Sequence, residues 1–136
     1  MRPHDRWLDQ AWDDLQFGRL GLEAGYLAQT CFLSQQVIEK CLKGYLVFQG
    51  RLYPKTHKLA DLWRLCEEIL QELEPFERQF RVIDEYYIPT RYPDAVPGKG
   101  STSPSIDNAQ EALGAAEKVY TLIHSEVGSA GSGERR

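Results

Sequence analysis

The sequence lacks the motifs of several large enzyme classes. It has no glycine-rich phosphate loop, no HExxH motif, no paired zinc-binding motif and no nucleophile elbow. These absences argue against P-loop nucleotide hydrolysis, zinc proteolysis and α/β-hydrolase chemistry. The longest apolar run is far too short to span a membrane, and the charged residues before Trp7 do not form a signal peptide. We therefore expect a cytoplasmic protein that makes no membrane contact.

Cysteine is scarce and follows neither a metal-binding nor a disulfide pattern. Cys31, Cys41 and Cys66 are an odd number of cysteines at helical core spacings, with no CxxC pair. This pattern favours buried free thiols in a reducing compartment. We expect no metal ion and no cofactor.

Positive charge is in the minority. The chain has 16 Lys and Arg residues against 20 Asp and Glu residues, a formal net charge of -4. Such a chain has no overall attraction to nucleic acid or to an anionic membrane, so any contact with RNA needs a local basic patch. What the chain does have is 136 residues that are 42% hydrophobic. That is enough for the core of one globular domain, and the chain is too short for two.

Apolar residues recur at helical spacing along most of the chain, and no stretch alternates as a strand would. Thr56 is a good N-cap for a third helical segment, and Pro75 opens a shorter fourth one. The five segments cover about residues 5–24, 27–49, 56–73, 75–87 and 103–123. Short connections between amphipathic helices favour antiparallel neighbours. We therefore predict an all-α fold, an antiparallel up-and-down helical bundle with four main helices plus a shorter one.

Two stretches fall outside the helical pattern. Residues 88–102 are rich in proline, glycine and serine, and a loop of this length in a small domain is often functional. Residues 128–136 are mostly glycine, serine and charged residues and predict a disordered C-terminal tail. The helical domain is thus expected to cover residues 1–127.

The predicted topology brings distant residues together. In an up-and-down bundle, the loop after the second helix and the loop before the fifth lie at the same end. His57, Arg91 and Tyr92 would then be neighbours. Lys43 would lie only about 10 Å from that end of the bundle, measured along its helix.

A cluster of polar residues interrupts the apolar second segment. Its members are Gln35, Gln36, Glu39, Lys40 and Lys43. Glu39 and Lys43 are spaced for an i,i+4 ion pair. One interpretation is a solvated helix face with ordinary ion pairs. The other is a polar seam that faces a partner subunit or a ligand.

Two residues between the helices are candidates for chemistry. His57 follows the predicted N-cap Thr56, where a helix dipole favours an anion, although a single loop histidine is usually structural. Arg91 could bind a phosphate through two N–H groups, or equally brace its loop against a carboxylate. The residues alone leave both alternatives open.

Four strings together resemble the HEPN domain family (higher eukaryotes and prokaryotes nucleotide-binding). Residues 34–46, SQQVIEKCLKGYL, resemble the family's signature helix. Residues 54–59, PKTHKL, are similar to its Thr-His-x-Leu entry to the third helix. Residues 91–94, RYPD, resemble the Arg-Tyr-Pro motif of its bacterial and archaeal members. Asp14 and Leu15 match the Asp-Leu of its first helix, so the resemblance covers nearly the whole chain.

The resemblance implies a homodimer that packs partly through the helices around the polar seam, which would include Asp14. It also implies nucleotide or RNA binding and frequent pairing with a minimal nucleotidyltransferase in a toxin–antitoxin-like system. Many relatives are metal-independent ribonucleases with an Arg-x4-6-His motif near the last helix. In that reaction the RNA 2′-hydroxyl attacks its own phosphate, the histidine moves the proton and the arginine stabilises the charge on phosphorus.

The sequence departs from this motif after Arg91. The positions at which the histidine should fall are Val96, Pro97 and Gly98. None of these can transfer a proton, a function that contributes about 10²–10⁴-fold to rate. Arg51 and His57 have the right spacing but lie between the second and third helices, so we interpret that match as coincidence. A remaining hypothesis is that His57 approaches Arg91 and replaces the missing histidine.

Three functions follow from these observations. The first is a module that binds a nucleotide or an RNA phosphate at Lys43, His57, Arg91 and Tyr92 and works beside a nucleotidyltransferase. The second is a metal-independent ribonuclease toxin that uses Arg91 with His57. The third is a purely structural helical dimer. The missing histidine favours the first function over the second.

Aromatic side chains are more numerous than one small bundle easily covers. We therefore expect an exposed apolar patch on the monomer and a dimer or higher homo-oligomer. The aromatic residues counted here are Trp7, Trp12, Phe17, Phe32, Phe48 and Trp63.

Overall fold

All regular structure in the described part of the chain is helical. The computed structural model describes residues 2–66, 71–91 and 104–131, with the backbone alone for 86–91 and 129–131. The elements are α1 (Pro3–Ala24), α2 (Leu27–Phe48), α3 (Leu59–Cys66), a 3-10 helix (Gln71–Phe76), α4 (Glu77–Arg91) and α5 (Ile106–Gly131). The predicted all-α class is confirmed, and α1 and α2 lie close to their predicted bounds.

Helices α1 and α2 are antiparallel and α5 also runs opposite to α1. Leu33 lies beside Gly18, near the end of α1, whereas Gly44 lies beside Trp7, near its start. Between α1 and α5, the contact of Arg19 with Glu117 and that of Trp12 with Tyr120 show the same reversal. Helices α2 and α5 therefore run in the same direction.

Helix α4 runs opposite to α5. Lys118 lies over the ring of Phe76, directly before α4, and Ile83 lines a groove together with Asn108 near the start of α5. The four long helices α1, α2, α4 and α5 thus form the predicted up-and-down bundle. The short helix is α3, not the fourth segment as expected.

The segment after α2 corrects the predicted topology. Instead of starting the next helix at the end of α2, this segment runs back beside α2. The His57 carbonyl oxygen there accepts a hydrogen bond from Gln35, in the middle of α2. Helix α3 then runs in the same direction as α2 and ends where the Cys66 thiol lies 4.0 Å from the Leu42 carbonyl oxygen. The premise that the second loop lies wholly at one end of the bundle is therefore wrong.

Four other predicted boundaries differ. Pro75 lies inside the 3-10 helix rather than opening α4, and Leu73 belongs to the same 3-10 helix rather than to α3, which is described over Leu59–Cys66. Helix α4 continues to Arg91, so residues 88–91 are helical and not part of a loop. Helix α5 continues to Gly131, into the segment predicted to be disordered. Tyr92 and the rest of that loop up to residue 103 lie outside the described residues.

The core contains the three cysteines, as predicted. Each is buried with a free thiol. Burial raises the pKa of Cys31 to about 11 and that of Cys66 to about 12. Both thiols therefore stay protonated near neutral pH and do not act as nucleophiles. Trp63 also belongs to this core and so adds nothing to an exposed apolar patch.

The core and the bundle surfaces contain no membrane-spanning element in the described residues. No helix there is both long and apolar enough to cross a bilayer.

Gly44 allows the start of α1 to pack closely on α2. A Cβ atom at this position would lie 2.9 Å from the Cβ of Trp7. We expect Gly44→Ala to lower the free energy of unfolding by about 1–2 kcal/mol, since overpacking outweighs the gain in helix propensity. Urea unfolding followed by circular dichroism measures this change.

Gly114→Ala is the matched control for this substitution. Gly114 is also helical, but a Cβ there would meet nothing within 4 Å. This variant should be neutral or more stable by up to about 1 kcal/mol. Equal stability of the two alanine variants would contradict the close packing at Gly44.

Candidate functional site

Glu39 is the centre of a buried polar network on α2. One carboxylate oxygen, Oε2, accepts a hydrogen bond from Lys43 Nζ at 2.9 Å. The other, Oε1, accepts from Gln35 Nε2 at 3.1 Å and lies 3.4 Å from His57 Nδ1. The predicted i,i+4 pair is confirmed, and the Glu39 charge is both paired and hydrogen-bonded, as a buried carboxylate requires.

Burial decides between the two interpretations of the polar cluster. Gln35 is 0% exposed, and Glu39 and Lys43 are each 7% exposed. The interpretation as a solvated face is therefore wrong for these three residues. They face the chain's own segment between α2 and α3, and contact with a partner subunit stays a prediction.

Lys43 lies beneath an aromatic side chain. Its Nζ is 5.5 Å from the centre of the Tyr53 ring, a cation–π distance. With Glu39 on one side and Tyr53 on the other, the ammonium contacts the chain's own groups. A ligand would reach Lys43 only if the segment that contains Tyr53 moved.

The two remaining members of the cluster, Lys40 and Gln36, make separate contacts. Lys40 Nζ donates a hydrogen bond to Asp14 Oδ2 at 2.6 Å, and both side chains are 20% exposed. This ion pair joins α2 to α1. Gln36 Nε2 donates to Gln35 Oε1 at 2.7 Å and so orients the amide that holds the His57 carbonyl group.

His57 is fixed at two points and still largely exposed. Its carbonyl oxygen accepts from Gln35 Nε2 at 2.6 Å, and its Nδ1 lies against Glu39. The side chain is 62% exposed. A carboxylate can only accept a hydrogen bond, so this contact places a proton on Nδ1 and sets the ring orientation.

The start of α3 is capped from another helix. The Asp84 carboxylate, on α4, accepts hydrogen bonds from the backbone N–H groups of Leu59 at 2.8 Å and Ala60 at 3.3 Å. The predicted N-cap Thr56 instead accepts from the Lys58 N–H within a local turn. Sequence reasoning missed Asp84 because a cap that is 25 residues away in sequence leaves no local signal.

Arg91 is the last residue of α4, and only its backbone is described. Its predicted approach to His57 therefore stays a prediction, and the predicted ligand contact of Tyr92 falls on a residue outside the described part. Within residues 2–66, 71–91 and 104–131, no group of three or more His, Cys, Asp or Glu side chains is placed to hold a metal ion.

The fold is an all-α bundle. The polar seam on α2 binds the chain's own segment between α2 and α3 through the contacts of Gln35 and Glu39 with His57. A model of the HEPN domain matches residues 4–126. The chain belongs to the HEPN domain family, as the sequence resemblance indicated.

Three similar proteins extend this comparison. A Methanocaldococcus jannaschii protein named "Putative toxin MJ1304" is 23% identical over 132 residues, covering 86% of this chain and 83% of that protein. The crystal structure of TT1696 from Thermus thermophilus has 33% identity and a TM-score of 0.80, covering 92% of this chain and 98% of that one. ST0689, an archaeal HEPN homologue, has 28% identity and a TM-score of 0.72, covering 93% and 99%.

Proposed function

We propose that this HEPN domain binds the phosphate of a nucleotide or an RNA strand at His57. The observation that carries the proposal is an exposed imidazole whose backbone and Nδ1 are already held by Gln35 and Glu39. A group held in this way loses little conformational freedom when it meets a ligand. Lys55 and Lys58, on either side of it in sequence, add positive charge that attracts an anion.

Arg91 and Tyr92 form the second half of the proposed site. Asp84 on α4 contacts Leu59, which is close in sequence to His57. Arg91 ends the same helix about 10 Å further along. Its guanidinium has the geometry for a bidentate contact with a phosphate. Lys43 would support the site by holding Glu39.

Metal-independent ribonuclease activity is the alternative function, and one contact favours it. Glu39 places the proton of His57 on Nδ1, which leaves Nε2 as the basic nitrogen. A base of this kind can remove the proton of an RNA 2′-hydroxyl while Arg91 stabilises the phosphorane charge. The absence of a histidine at Val96, Pro97 or Gly98 keeps binding as the favoured function.

The proposed module acts as a homodimer beside a minimal nucleotidyltransferase in a toxin–antitoxin-like system. Two observations support a protein partner. Phe17 is 64% exposed and Leu20 is 63% exposed on α1, and Trp12 on the same helix is also exposed. Apolar side chains grouped on one helix are typical of a protein interface. A relative also carries the word toxin in its name.

Light scattering at micromolar concentration should give a dimer or larger species.

The proposed function predicts a shared effect of two substitutions. His57→Ala and Arg91→Ala should each weaken binding of adenosine monophosphate about 10-fold or more, since hydrogen bonds to charged groups contribute about 1.5–3 kcal/mol. Calorimetric titration measures this affinity. Incubation of the same proteins with cellular RNA in EDTA should give no cleavage above background.

His124→Ala and Arg78→Ala are the matched controls, since both residues are exposed on α5 and α4. They should bind the nucleotide as the unaltered protein does. RNA cleavage that His57→Ala and Arg91→Ala both abolish would replace the binding function with the ribonuclease function. Absence of both nucleotide binding and cleavage would leave the structural dimer.

A further inference from the structure

The contact between α1 and α5 contains a site that the chain's own arginine fills. The Arg19 guanidinium donates a hydrogen bond to Glu117 Oε2 at 2.8 Å and lies 5.7 Å from the centre of the Trp12 ring. A carboxylate from α5 and an aromatic ring from α1 thus hold one guanidinium group. This pair of partners suits arginine, whose flat guanidinium pairs with carboxylates and stacks on aromatic faces.

A depression lies further along the same contact between α1 and α5. Its volume is about 450 Å³, within the range of small-molecule sites, and Asp5, Asp9, Tyr120, His124 and Gly128 are among the residues that line it. None of the described side chains that line it belongs to a lysine or an arginine. Gly128 has no side chain, and a Cβ there would meet nothing within 4 Å, so this side of the depression is open.

Two stacked rings line the depression from α5. The ring planes of Tyr120 and His124 are 20° apart, and the ring centres are 5.4 Å apart. Tyr120 also contacts the Trp12 ring, again with centres 5.4 Å apart. The aromatic rings therefore continue from the Arg19 site into the depression, where their faces can attract a cation.

Helix α1 supplies carboxylates to the depression. Asp5 accepts a hydrogen bond from the Arg2 backbone N–H at 3.1 Å. Asp9, one turn further along, is exposed and has no ion-pair partner among the described residues. It lies close enough to Tyr120 to affect it, since burial, Cys41 and Asp9 all raise the pKa of that phenol. The depression thus repeats the carboxylate and aromatic ring of the Arg19 site without a guanidinium from the chain.

We propose that the depression binds a guanidinium group, supplied by an arginine side chain of another polypeptide or by a small free molecule. Asp9 accepts its two parallel N–H groups, and its flat face stacks on Tyr120. A lysine ammonium offers neither the fork nor the flat face. Asp5, Asp9 and His124 are not placed to hold a metal ion. An arginine side chain is the favoured source, because the exposed Trp12 ring borders the depression and Trp, Tyr and Arg are typical anchors of protein interfaces.

Nuclear magnetic resonance titration with N-acetyl-arginine amide tests the depression. The backbone amide signals of the residues that line it should shift and saturate. Asp9→Asn should weaken binding about 10-fold or more, because a charge-assisted pair is lost. Asp13→Asn removes the same charge from an exposed α1 residue outside the depression and should change the affinity by less than about 2-fold.

The aromatic wall and the source of the ligand have their own tests. Tyr120→Leu should weaken binding about 2- to 5-fold, whereas Tyr120→Phe, which keeps the ring, should bind as the unaltered protein does. Free arginine carries a carboxylate that Asp5 and Asp9 repel, and the amide does not. Tighter binding of the amide would identify an arginine within a polypeptide, and tighter binding of free arginine would identify a small molecule.

Three results would overturn this inference. One is absence of saturable shifts at the residues that line the depression. Another is equal affinity of Asp9→Asn and Asp13→Asn for N-acetyl-arginine amide, and both variants change exposed residues, so they should fold. The third is equally tight binding of N-acetyl-lysine amide. The depression shares no residue with the proposed phosphate site, so Asp9→Asn should bind adenosine monophosphate as the unaltered protein does.

Discussion

Glu39→Ala should lower the free energy of unfolding by about 3–5 kcal/mol, the largest effect we expect from a single substitution in the polar seam. The carboxylate is the partner of the buried Lys43 ammonium at 2.9 Å and an acceptor for Gln35. Its removal leaves a cation inside the protein without its counter-charge. It also releases His57 Nδ1, so the segment between α2 and α3 should become mobile. Urea unfolding and hydrogen exchange measure the two consequences.

A second variant tests whether the ion pair itself causes this loss. Glu39→Leu combined with Lys43→Met removes both charges and should be closer in stability to the unaltered protein than Glu39→Ala is. Glu23→Ala removes an exposed carboxylate from the end of α1 and should change stability by less than about 0.5 kcal/mol. A Glu39→Ala protein that is as stable as Glu23→Ala would contradict the buried network.

Asp84→Ala should lower the free energy of unfolding by about 1–3 kcal/mol. The carboxylate accepts from two N–H groups at the start of α3, and alanine leaves both without this acceptor. Glu85→Ala is the matched control, because Glu85 is the next residue on α4 and is exposed. Equal stability of the two variants would show that α3 does not depend on a cap from α4.

The pH dependence of this effect has a defined sign. Burial raises the pKa of Asp84 above its ordinary value of 3.8, although hydrogen bonds from Leu59 and Ala60 act in the opposite direction. The folded protein therefore binds this proton more tightly than the unfolded chain does. The contribution of Asp84 to stability should fall as the pH rises from below 3.8 through the raised value. Asp84→Asn, which does not titrate, should gain stability relative to the unaltered protein over the same interval.

Helix periodicity made most of the fold predictable, but not at α3. The bounds of α1 and α2 follow from apolar spacing, and each of these helices is followed by a glycine with positive φ, Gly25 and Gly50. Apolar spacing around Leu59 to Leu73 predicted one long third helix, yet α3 is described over Leu59–Cys66 and Leu73 lies in the 3-10 helix. The start of α3 depends on Asp84, a contact between distant parts of the chain that no local pattern contains.

The candidate site was predictable in its residue types and not in its arrangement. Glu39, Lys43 and His57 stood out by type and spacing, and the HEPN resemblance named the same strings. The sequence did not indicate that Glu39 joins Lys43 to His57, because that contact depends on the return of the segment after α2. Tyr53 was missed for the same reason, since its contact with Lys43 depends on the same return.

The sequence by itself determined the helical class, the buried cysteines and the family of this protein, since helix periodicity, apolar content and short strings are properties of neighbouring residues. Only the tertiary structure decided that the polar seam is buried rather than solvated. Whether Gln35 and Glu39 meet water or protein depends on where the chain goes after Phe48. Two hydrogen bonds of His57 fix that path. One is with Gln35, which is 22 positions away in the sequence, and the other is with Glu39, which is 18 positions away.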